Sequence, residues 1–538
     1  MAYLTTPIYY VNDRPHIGHV YTTLVADVAA RADRLLSGTP GATFLLTGTD
    51  EHADKVVTSA AAHGMTAIQW ADRNAAEFER AFKAMNLAYD DFIRTTQPRH
   101  TSRVTAYITA LMKAGSIYKG TYEGWYDANQ EEYLTETAAK DANYLSPVNG
   151  QPLIRRSETC YFFRLSAYQD RLKQHFDDHP HFIRPEARRN EVLGRLREGL
   201  QDVPISRPVT DDPATQFGIR VPGDDAHRIY VWIDALFNYL SVVDTDERRK
   251  FWPPRVHFLA KDILWFHAVV WPALLLALQE SAPEWSWVKL PGSVYSHAYW
   301  VREGRKMSKS LGNFVTIEVL QAYADKYSRD AVRWYLLTQG PLGTTDADFS
   351  HAKFVEVYNA DLANGLGNCA SRVGNMIDKY FGGELPDPRG QADHAGHDWR
   401  ALQKDLAAQA SSALREDDLS GYASAAVALI RAVDGYINQT APFKLAKRLD
   451  TDPGVRDELG LILYHCAEAV RAAAVLMSAI IPEKTGALLG SWGAGGGAGL
   501  TLEQLCAWGG PASLRPGQRV GKGEILFMRA DPAEAPPA

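Results

Sequence analysis

The sequence predicts a doubly wound parallel α/β sheet with an inserted small mixed domain, followed by an all-α helical bundle. Three observations predict this order. Strand-like and helix-like segments alternate over the first fifty residues, residues 118–161 are turn-rich and aromatic, and residues 351–489 are rich in Ala and Leu with helical periodicity. The 538 residues are long enough for about three or four domains with sizeable cores.

The N-terminal segment alternates in the manner of a parallel sheet. Residues 2–11 are β-branched and aromatic, which favours a buried strand, and residues 12–18 form a turn-rich loop. Apolar residues then recur at helical spacing until Gly38, and residues 42–47 favour a second strand that runs into Gly48-Thr49-Asp50. In a doubly wound sheet of this kind, ligands bind at the carboxyl ends of the strands.

The α/β pattern returns near Arg228. Helical spacing predicts helices over residues 231–243 and 263–279, with a strand over residues 256–260 between them. After residue 350 the strand signals stop, as expected of a bundle. The glycine-rich residues 490–499 predict a flexible loop, and the last ten residues predict a frayed tail.

Composition and charge exclude several classes of protein. With 46% hydrophobic and 22% charged residues the chain is neither disordered nor fibrous, and its net charge of −7 argues against indiscriminate nucleic-acid binding. An RNA partner recognised through local patches stays open. The N-terminus lacks a secretory signal, and the apolar run of residues 268–278 is too short to span a bilayer. We therefore expect a cytoplasmic protein without a membrane contact, and four separated cysteines predict neither disulfides nor a cysteine-built zinc site.

His16-Ile17-Gly18-His19 lies where the first strand gives way to the first helix. A helix N-terminus offers unpaired N–H groups and the positive end of the helix dipole, which together suit a phosphate. Two imidazoles add hydrogen-bond donors there, and Gly18 lets a nucleotide approach closely. The alternative is that a histidine only caps the helix.

Lys306-Met307-Ser308-Lys309-Ser310 lies in a loop opened by Gly304 and closed by Gly312. Two lysines and two hydroxyls within five residues can wrap a triphosphate, and the flanking glycines allow the loop to close over it. The alternative is a charged surface loop without a ligand.

Together the two motifs, HIGH and KMSKS, resemble the signatures of the class I aminoacyl-tRNA synthetases. Further stretches narrow the resemblance to the methionyl-tRNA synthetase family: TTPIYYVNDRPHIGH, TGTDEH, YVWIDALFNYL, the KDI…FH…W run and NADLANGLGN. The resemblance covers about Tyr3 to at least Lys447. It implies a ligase that makes methionyl-adenylate and pyrophosphate from methionine and ATP with Mg²⁺. The methionyl group then passes to the terminal ribose of tRNA(Met), for initiation and elongation of translation.

The resemblance also implies a domain order around a Rossmann-like catalytic domain. The implied segments are 1–114 and 228–300 for the two halves of the catalytic domain, 115–227 for an inserted connective domain, 301–350 for the KMSKS loop and a stem-contact region, 351–489 for a helical anticodon-binding domain, and 490–538 for a glycine-rich loop and tail. Some family members carry a further C-terminal domain that binds tRNA and dimerises. The sequence shows none after the helical region, so we expect a monomer.

A methionine pocket is implied at the carboxyl edge of the sheet. Its residues are Ile8, Tyr10, Asp50, Trp232, Ala235, Tyr239, Ile263, His267 and Trp271. Those after residue 230 fall at i, i+3, i+7 on one predicted helix and at i, i+4, i+8 on another, so each set shares a helix face. By resemblance Asp50 receives the methionine ammonium, and the aromatic side chains surround the polarizable thioether. From the residues alone, both aromatic stripes could instead be core.

The resemblance implies an ATP site as well. Its residues are His16, Gly18, His19, Lys261, Asp262, His297, Lys306, Ser308, Lys309 and Ser310, of which His16, His19, Lys306 and Lys309 are the catalytic set. The carboxylate of Asp262 suits the ribose hydroxyls. Ala53 and Ala260 stand where the family has glycine, and we expect their methyl groups to cause local backbone adjustment.

The inserted domain departs from the zinc knuckle that many family members carry. At the metal-ligand positions this chain has Asp127, Gln130, Ser146 and Asn149. A structural zinc of this type needs thiolate or imidazole ligands, and one carboxylate with three neutral groups will not hold it. We therefore expect no structural zinc and no other protein-bound metal.

An anticodon-reading surface is implied on the helical domain. Asn368 and Arg372 stand at i and i+4, so they project from one helix face, and Phe443 stands where the family's tryptophan stacks on an anticodon base. Phenylalanine keeps a stacking face and loses the indole N–H. The alternative is that Asn368 and Arg372 pair with neighbouring helices while Phe443 is core.

Three other classes of protein compete with a methionine enzyme. The synthetases for valine, isoleucine and leucine carry a much larger editing insertion than this chain has. The cysteine enzyme needs a zinc that this sequence cannot bind. A catalytically dead RNA-binding paralogue is disfavoured by intact HIGH and KMSKS motifs. A smaller HxGH nucleotidyltransferase is excluded by the long helical C-terminal third.

Overall fold

A parallel sheet forms the centre of the N-terminal two thirds of the protein. The structure is a computed structural model that describes residues 1–127, 132–134, 136–147, 149–302, 304–307, 313–495, 497–521 and 523–537. Among these residues the sheet has six strands: β1 (Ala2–Tyr10), β2 (Thr43–Asp50), β3 (Asp91–Arg94), β4 (Ile183–Arg184), β5 (Val256–Ala260) and β6 (Val294–His297). Their order is β3-β2-β1-β5-β6-β4, and every neighbouring pair is parallel. The predicted doubly wound parallel sheet is confirmed.

Helix α1 (Ile17–Ser37) connects β1 to β2 and ends at Gly38, as the sequence predicts. Gly38 takes the left-handed conformation, with φ of 60°, that lets it close a helix without strain. Further helices flank the sheet at Asp54–Ala62, Ala67–Ala84 and α2 (Pro98–Lys113).

The predicted helix over residues 231–243 is two short helices, α3 (Val231–Leu236) and α4 (Asn238–Ser241). They are separated at Phe237, where the Asn238 side-chain amide donates to the Ala235 carbonyl at 2.6 Å. A side chain that bonds a carbonyl of the preceding turn competes with the regular helix ladder, and the helix breaks there.

The predicted helix over residues 263–279 begins with a short 3₁₀ turn and a π-helical turn at Phe266–Val270, and only then becomes α-helical at Trp271–Ser281. Pro272 lacks an N–H, and in a regular α-helix its ring would clash with the carbonyl oxygen of the residue four positions earlier. The preceding turn is therefore π-helical and holds one extra residue.

The inserted region forms its own small sheets. Its strands are Ile117–Asp127, Glu132–Leu134, Ile154–Phe163 and Val203–Pro204 in one sheet, and Ser206–Pro208, Arg220–Val221 and Asp224–Ile229 in another. Its helices are Glu136–Asp141, Gln169–Asp178, Glu186–Leu196 and Pro213–Gln216. A third small sheet follows the central one, with strands Trp300–Arg302, Arg305–Lys306 and Ala347–Asp348, and helices Ile317–Tyr327 and Arg329–Gln339 lie between its last two strands.

The C-terminal third is helical, as predicted. Its main helices are His351–Val357, Tyr358–Gly367, α5 (Asn368–Phe381), Trp399–Arg415, α6 (Leu419–Thr440), α7 (Pro453–Met477), Pro482–Ser491 and Leu502–Cys506. Within α7, residues 454–477 are long and apolar enough to cross a membrane by length and composition, but the apolar 18-residue window of that stretch is buried inside the protein. It is therefore the core helix of this domain.

The last residues do not fray as the sequence analysis expects. The Asn359 side chain donates to the Ala530 carbonyl at 3.0 Å and accepts from the Ala530 N–H at 2.9 Å. Lys326 pairs with Glu534 at 2.7 Å, and Phe527 is buried. A Pro- and Ala-rich segment has no signal for this docking in its own sequence, because its partners lie more than 150 residues earlier.

Arg333 joins the sheet to the helical domain. Its side chain is 1% exposed and donates to Asp27 of α1 at 2.6 Å. It also donates to the carbonyls of Asn86 at 2.9 Å and Ile480 at 2.7 Å, the latter just beyond α7. A guanidinium buried this deeply is stable only because its donors find partners, and these partners come from both parts of the protein.

Candidate active site

A cavity of about 730 Å³ lies at the carboxyl edge of the central sheet. Four strands end on it, at Tyr10 of β1, Asp50 of β2, Ala260 of β5 and His297 of β6. The edge where parallel strands end is where such sheets bind ligands. The position of the cavity is thus the one expected from the alternation of strands and helices.

The histidines of the HIGH motif cap α1 at one end of this cavity. The Gly18 N–H donates to Nδ1 of His16 at 3.1 Å, and the His16 N–H donates to Nδ1 of His19 at 3.2 Å. Burial, with His16 close by, holds the pKa of His19 well below its usual range, so its ring is neutral. Since its Nδ1 accepts, the ring proton of His19 is on Nε2, where it is a hydrogen-bond donor.

The segment that follows the KMSKS motif docks on the HIGH motif. The Ile17 N–H donates to the Val315 carbonyl at 3.1 Å, and Phe314 packs on the His16 ring with centroids 4.9 Å apart. Met307 accepts from the Val315 N–H through its sulfur at 3.4 Å. The HIGH motif and the segment after the KMSKS motif, distant in sequence, therefore border one cavity.

Part of the KMSKS motif lies outside the described residues. These residues are Ser308, Lys309 and Ser310. The backbone of Lys306 pairs with Val301 in the small sheet that precedes them. Roles for these side chains at a triphosphate stay predictions.

The ammonium end of the predicted methionine pocket is assembled from β1 and β2. Tyr10 and Asp50 are directly opposite each other in the parallel pair, and Ile8 is opposite Gly48. Ile8, Tyr10 and Asp50 border the cavity, and Asp50 is 3% exposed. A carboxylate in so little water is a strong site for a cation.

Aromatic side chains form the opposite wall. Trp232, Ala235 and Tyr239 all border the cavity although the helix that carries them is broken at Phe237. Phe266 stacks on Trp232 with ring centroids 4.4 Å apart and planes within 5°. Sequence reasoning missed Phe266, because regular helical spacing from His267 places it on another face.

His267 completes this wall together with Ile263. Its Nδ1 donates to the Ile263 carbonyl at 3.0 Å, which leaves Nε2 to accept from the Tyr239 hydroxyl at 2.7 Å. Burial lowers the pKa of His267 to about 4. The ring is neutral at physiological pH and presents no charge to the cavity.

Trp271 is not among the described residues that border the cavity. It is 0% exposed and packs behind Tyr239, with ring centroids 5.8 Å apart. Its indole N–H donates to His257 at 3.3 Å. The π-helical turn at Phe266–Val270 shifts the helix phase between His267 and Trp271, so the i, i+4, i+8 spacing does not put all three on one face.

The predicted ATP residues divide between the cavity and its surroundings. Asp262 and His297 border the cavity, and burial lowers the pKa of His297 to about 4. Lys261 is not among the described wall residues, since its Nζ pairs with Asp346 at 2.7 Å and lies over the Tyr299 ring. Sequence reasoning missed Phe314 and Tyr299, which reach the wall only through the fold of the small sheet.

Ala53 and Ala260 both border the cavity. Their φ angles are −77° and −85°, in the extended region that any residue adopts. Neither methyl group forces a left-handed backbone, so the strain of replacing a glycine is avoided at both positions.

The predicted anticodon residues lie on the helical domain. Asn368 begins α5, and Arg372 one turn later donates to Asp434 of α6 at 3.2 Å. Phe443 is 45% exposed, so it is not core. The alternative interpretation is thus right for the pairing of Arg372 and wrong for Phe443.

The knuckle positions are partly described. Asp127 and Ser146 are buried and Asn149 is exposed, while Gln130 lies outside the described residues. Within the part of the chain that the structure describes, no three His, Cys, Asp or Glu side chains are grouped to hold a metal ion. The absence of a structural zinc stays a prediction.

Known proteins resemble this chain over nearly its full length. The family described as tRNA synthetases class I (M) matches residues 2–142 and 138–374. The methionine–tRNA ligase of Streptomyces coelicolor is 41% identical, with 98% of this chain and 96% of the relative covered. That of Caldanaerobacter subterraneus is 39% identical, with 98% of this chain and 79% of the relative covered.

A solved structure gives the same result. Mycobacterium tuberculosis methionyl-tRNA synthetase, in complex with methionyl-adenylate, is similar with a TM-score of 0.85 and 33% sequence identity. The alignment covers 98% of this chain and 99% of that one. With the HIGH motif and the segment after KMSKS on one cavity and relatives aligned over nearly all of this chain, the chain belongs to the methionyl branch of the class I tRNA synthetases.

Proposed function

We propose that this protein is a methionine–tRNA ligase that forms methionyl-adenylate from methionine and Mg·ATP and then charges tRNA(Met). The observation that carries the proposal is the cavity itself, which has a buried carboxylate at one side, a neutral aromatic wall opposite, and the histidine-capped N-terminus of α1 at its end. The relatives of this chain carry the same name.

Methionine binds between Asp50 and the aromatic wall. The Asp50 carboxylate accepts the ammonium group, and Tyr10, Trp232 and Tyr239 surround the thioether, which is polarizable and suited to aromatic contacts. Neutral His267 accepts a hydrogen bond from the Tyr239 hydroxyl. It places no charge beside the thioether, which could not pair with one. Trp271 supports this wall from behind in the present conformation.

ATP binds with its phosphates at the start of α1. The Nε2–H of His19, together with the His16 ring, stabilises charge that develops on the α-phosphate, and Gly18 allows close approach. Asp262 accepts the ribose hydroxyls and His297 lines the same end of the cavity. Lys306 and Lys309, with Ser308 and Ser310, are assigned to the triphosphate by the motif.

The chemistry is positioning and charge stabilisation in two steps. A methionine carboxylate oxygen attacks the α-phosphorus, and the bond to the departing pyrophosphate breaks. The terminal ribose hydroxyl of tRNA then attacks the methionyl carbonyl and AMP leaves with the bonding electrons. Neither step needs a covalent intermediate with the protein.

Recognition of tRNA is assigned to the helical domain, residues 351–489. Asn368 and Arg372 offer amide and guanidinium donors to base edges of an unpaired loop, and exposed Phe443 offers a stacking face. The remaining proposed segments are the catalytic halves, 1–114 and 228–300, and the zinc-free connective domain, 115–227. We further propose a cytoplasmic monomer.

Methionine-dependent ATP–pyrophosphate exchange tests the first step. We expect exchange with methionine, and none above background with valine, isoleucine, leucine or cysteine at equal concentration. Charging of tRNA(Met) by the same preparation tests the second step. Exchange with one of the other amino acids in preference to methionine would overturn the assignment.

A further inference from the structure

Three polar side chains are buried together behind the methionine wall. They are His52, Asp234 and His100, and they are 7%, 1% and 0% exposed respectively. Each comes from a different element: the loop after β2, helix α3 and helix α2. None of the three is among the described residues that border the cavity.

The Asp234 carboxylate is bonded through both of its oxygens. His52 Nδ1 lies 2.6 Å from one oxygen, and His100 Nε2 lies 2.8 Å from the other. The opposite nitrogen of His100 bonds the Ser241 hydroxyl of α4 at 2.9 Å. The carboxylate therefore holds three separate backbone segments in one arrangement.

These segments carry the two ends of the methionine site. His52 is two residues after Asp50, the ammonium acceptor. Asp234 lies between Trp232 and Ala235 on α3, and Ser241 is two residues after Tyr239. On the side away from the cavity, hydrogen bonds to the Asp234 carboxylate therefore connect the segment that carries the ammonium acceptor to the helices that carry the aromatic wall.

The carboxylate is ionised despite its burial. Burial raises the pKa of Asp234, but the His52 and His100 rings oppose it, and the net result lowers the pKa to about 2. The Arg228 guanidinium also donates to the His52 carbonyl at 3.5 Å and forms an ion pair with Asp54. Hydrogen bonds to an ionised acceptor are shorter and stronger than neutral ones, as the 2.6 Å contact illustrates.

We propose that Asp234 is a positioning residue that fixes the separation between the ammonium acceptor and the thioether wall, and through it the preference for methionine over amino acids of other length or branching. This inference rests on the proposed function. A rigid span matters because discrimination by size comes from the fit of a pocket, and each methylene contributes only about 10- to 200-fold.

Asp234→Asn tests the inference, with Asp244→Asn as the matched control. Asp244 is equally buried and accepts from Tyr107 at 3.0 Å and Arg249 at 2.6 Å, and its described partners include no wall residue. For Asp234→Asn we expect the KM for methionine in ATP–pyrophosphate exchange to rise about 10-fold or more, because misplacement of a binding group acts on binding. The KM for ATP should stay within about twofold, since the phosphate end is untouched.

Specificity is the second readout. The ratio of kcat/KM for methionine to that for norleucine or leucine should fall in Asp234→Asn and stay at the wild-type value in Asp244→Asn. The melting temperatures of both variants show how much stability the protein loses when a buried carboxylate is replaced by an amide. Equal changes in the two variants on every readout would make Asp234 a structural residue only and overturn the inference.

A second variant covers the case in which Asp234→Asn does not fold. His52→Leu removes one of the two bonds to the carboxylate and leaves the His100 bond in place, so a smaller rise in the methionine KM, with the ATP KM unchanged, is expected. An unchanged methionine KM in folded His52→Leu would overturn the inference. Failure of the proposed function is a separate result, because it appears in the wild-type protein as absence of methionine-dependent exchange.

Discussion

The proposed methionine end of the cavity and the proposed anticodon face of the helical domain are built in opposite ways. Asp50, Tyr239 and His267 are at most 3% exposed, and the Tyr239 hydroxyl bonds His267 of the next helix at 2.7 Å. On the anticodon face Phe443 is 45% exposed, and the Arg372 side chain, 30% exposed, has an exposed carboxylate as its partner.

The difference fits what each region is proposed to bind. A small amino acid offers few atoms, so its site gains affinity by burying them against a fixed wall. A folded RNA offers a large surface, so separate stacking and hydrogen-bonding contacts suffice and can stay in water until it binds. Changes at the first region should therefore disturb structure and chemistry together, and changes at the second should remove tRNA binding alone.

The largest effect is expected at the phosphates. Lys309→Ala should slow adenylate formation by about 10²-fold or more, or about 3 kcal/mol for one charged contact made in the transition state. Methionine affinity should change little, because the residues assigned to methionine include none of the KMSKS motif. Pre-steady-state adenylate formation measures the rate, and the exposed Lys353→Ala is the control. A loss of methionine affinity as large as the loss of rate would contradict the assigned role.

At the anticodon face, Arg372→Ala should lower tRNA charging by about 10- to 100-fold at limiting tRNA, on the energy scale of a base contact. ATP–pyrophosphate exchange should stay near normal, because the cavity is in another domain. The exposed Arg400→Ala, also on the helical domain, should leave both activities intact. If exchange falls as much as charging, Arg372 holds the fold and the anticodon assignment is withdrawn.

Acid should lower the stability of the folded protein through the buried His267. The pKa of His267 is about 4 in the folded protein and about 6.5 when exposed. Above pH 6.5 the ring is neutral in both states, and as pH falls towards 4 only the unfolded chain takes the proton. His267 therefore costs about 2 kcal/mol of folding free energy by pH 5.

Melting temperatures at pH 7.5 and 5.0 check this. The loss on acidification should be smaller in His267→Gln than in the wild type. Replacing the exposed His63 by Gln should leave the loss unchanged. An identical loss in all three proteins would show that His267 does not contribute to acid sensitivity.

Phe443 sharpens the stacking part of the comparison. Phe443→Ala should lower charging by about 5-fold or more, because one stacked base contributes about 1–3 kcal/mol. Phe443→Trp should be tolerated, since it enlarges the stacking face. Steady-state charging at limiting tRNA distinguishes them. Equal charging by the wild type and both variants would show that Phe443 does not contact the anticodon.

No effect is expected from chelation of zinc. The protein should contain no stoichiometric zinc by elemental analysis, and it should keep its activity in chelator once Mg²⁺ is resupplied. About one zinc per chain would contradict the expectation drawn from Asp127, Gln130, Ser146 and Asn149.

Much of the fold could be predicted because its signals are local. The alternation of strands and helices gives the parallel sheet, and Gly38 marks the end of α1. Docking of the C-terminal segment could not be predicted, because Asn359 and Ala530 bond each other across 171 residues. Hydrogen bonds of that kind depend on the finished fold.

The site shows the same limit at finer scale. Ile8, Tyr10, Asp50 and the motif histidines could be placed at the sheet edge, because strand ends fix their positions. Trp271 and Phe266 could not be placed correctly, because the π-helical turn before Pro272 changes the helix phase. Lys261 was assigned by motif alone, and its pairing with Asp346 depends on a strand that lies far along the chain.

The buried Arg333 has a consequence for the nucleic acid. By bonding α1, which begins at the cavity, to the segment after α7 of the helical domain, it opposes movement of one against the other. Under the proposed function, the adenylate site and the anticodon face are then held near one separation, and a tRNA has to bring its acceptor end and its anticodon to both at once. A tRNA that is too short or too long would reach only one of the two, so this buried guanidinium would help to select tRNA by its length.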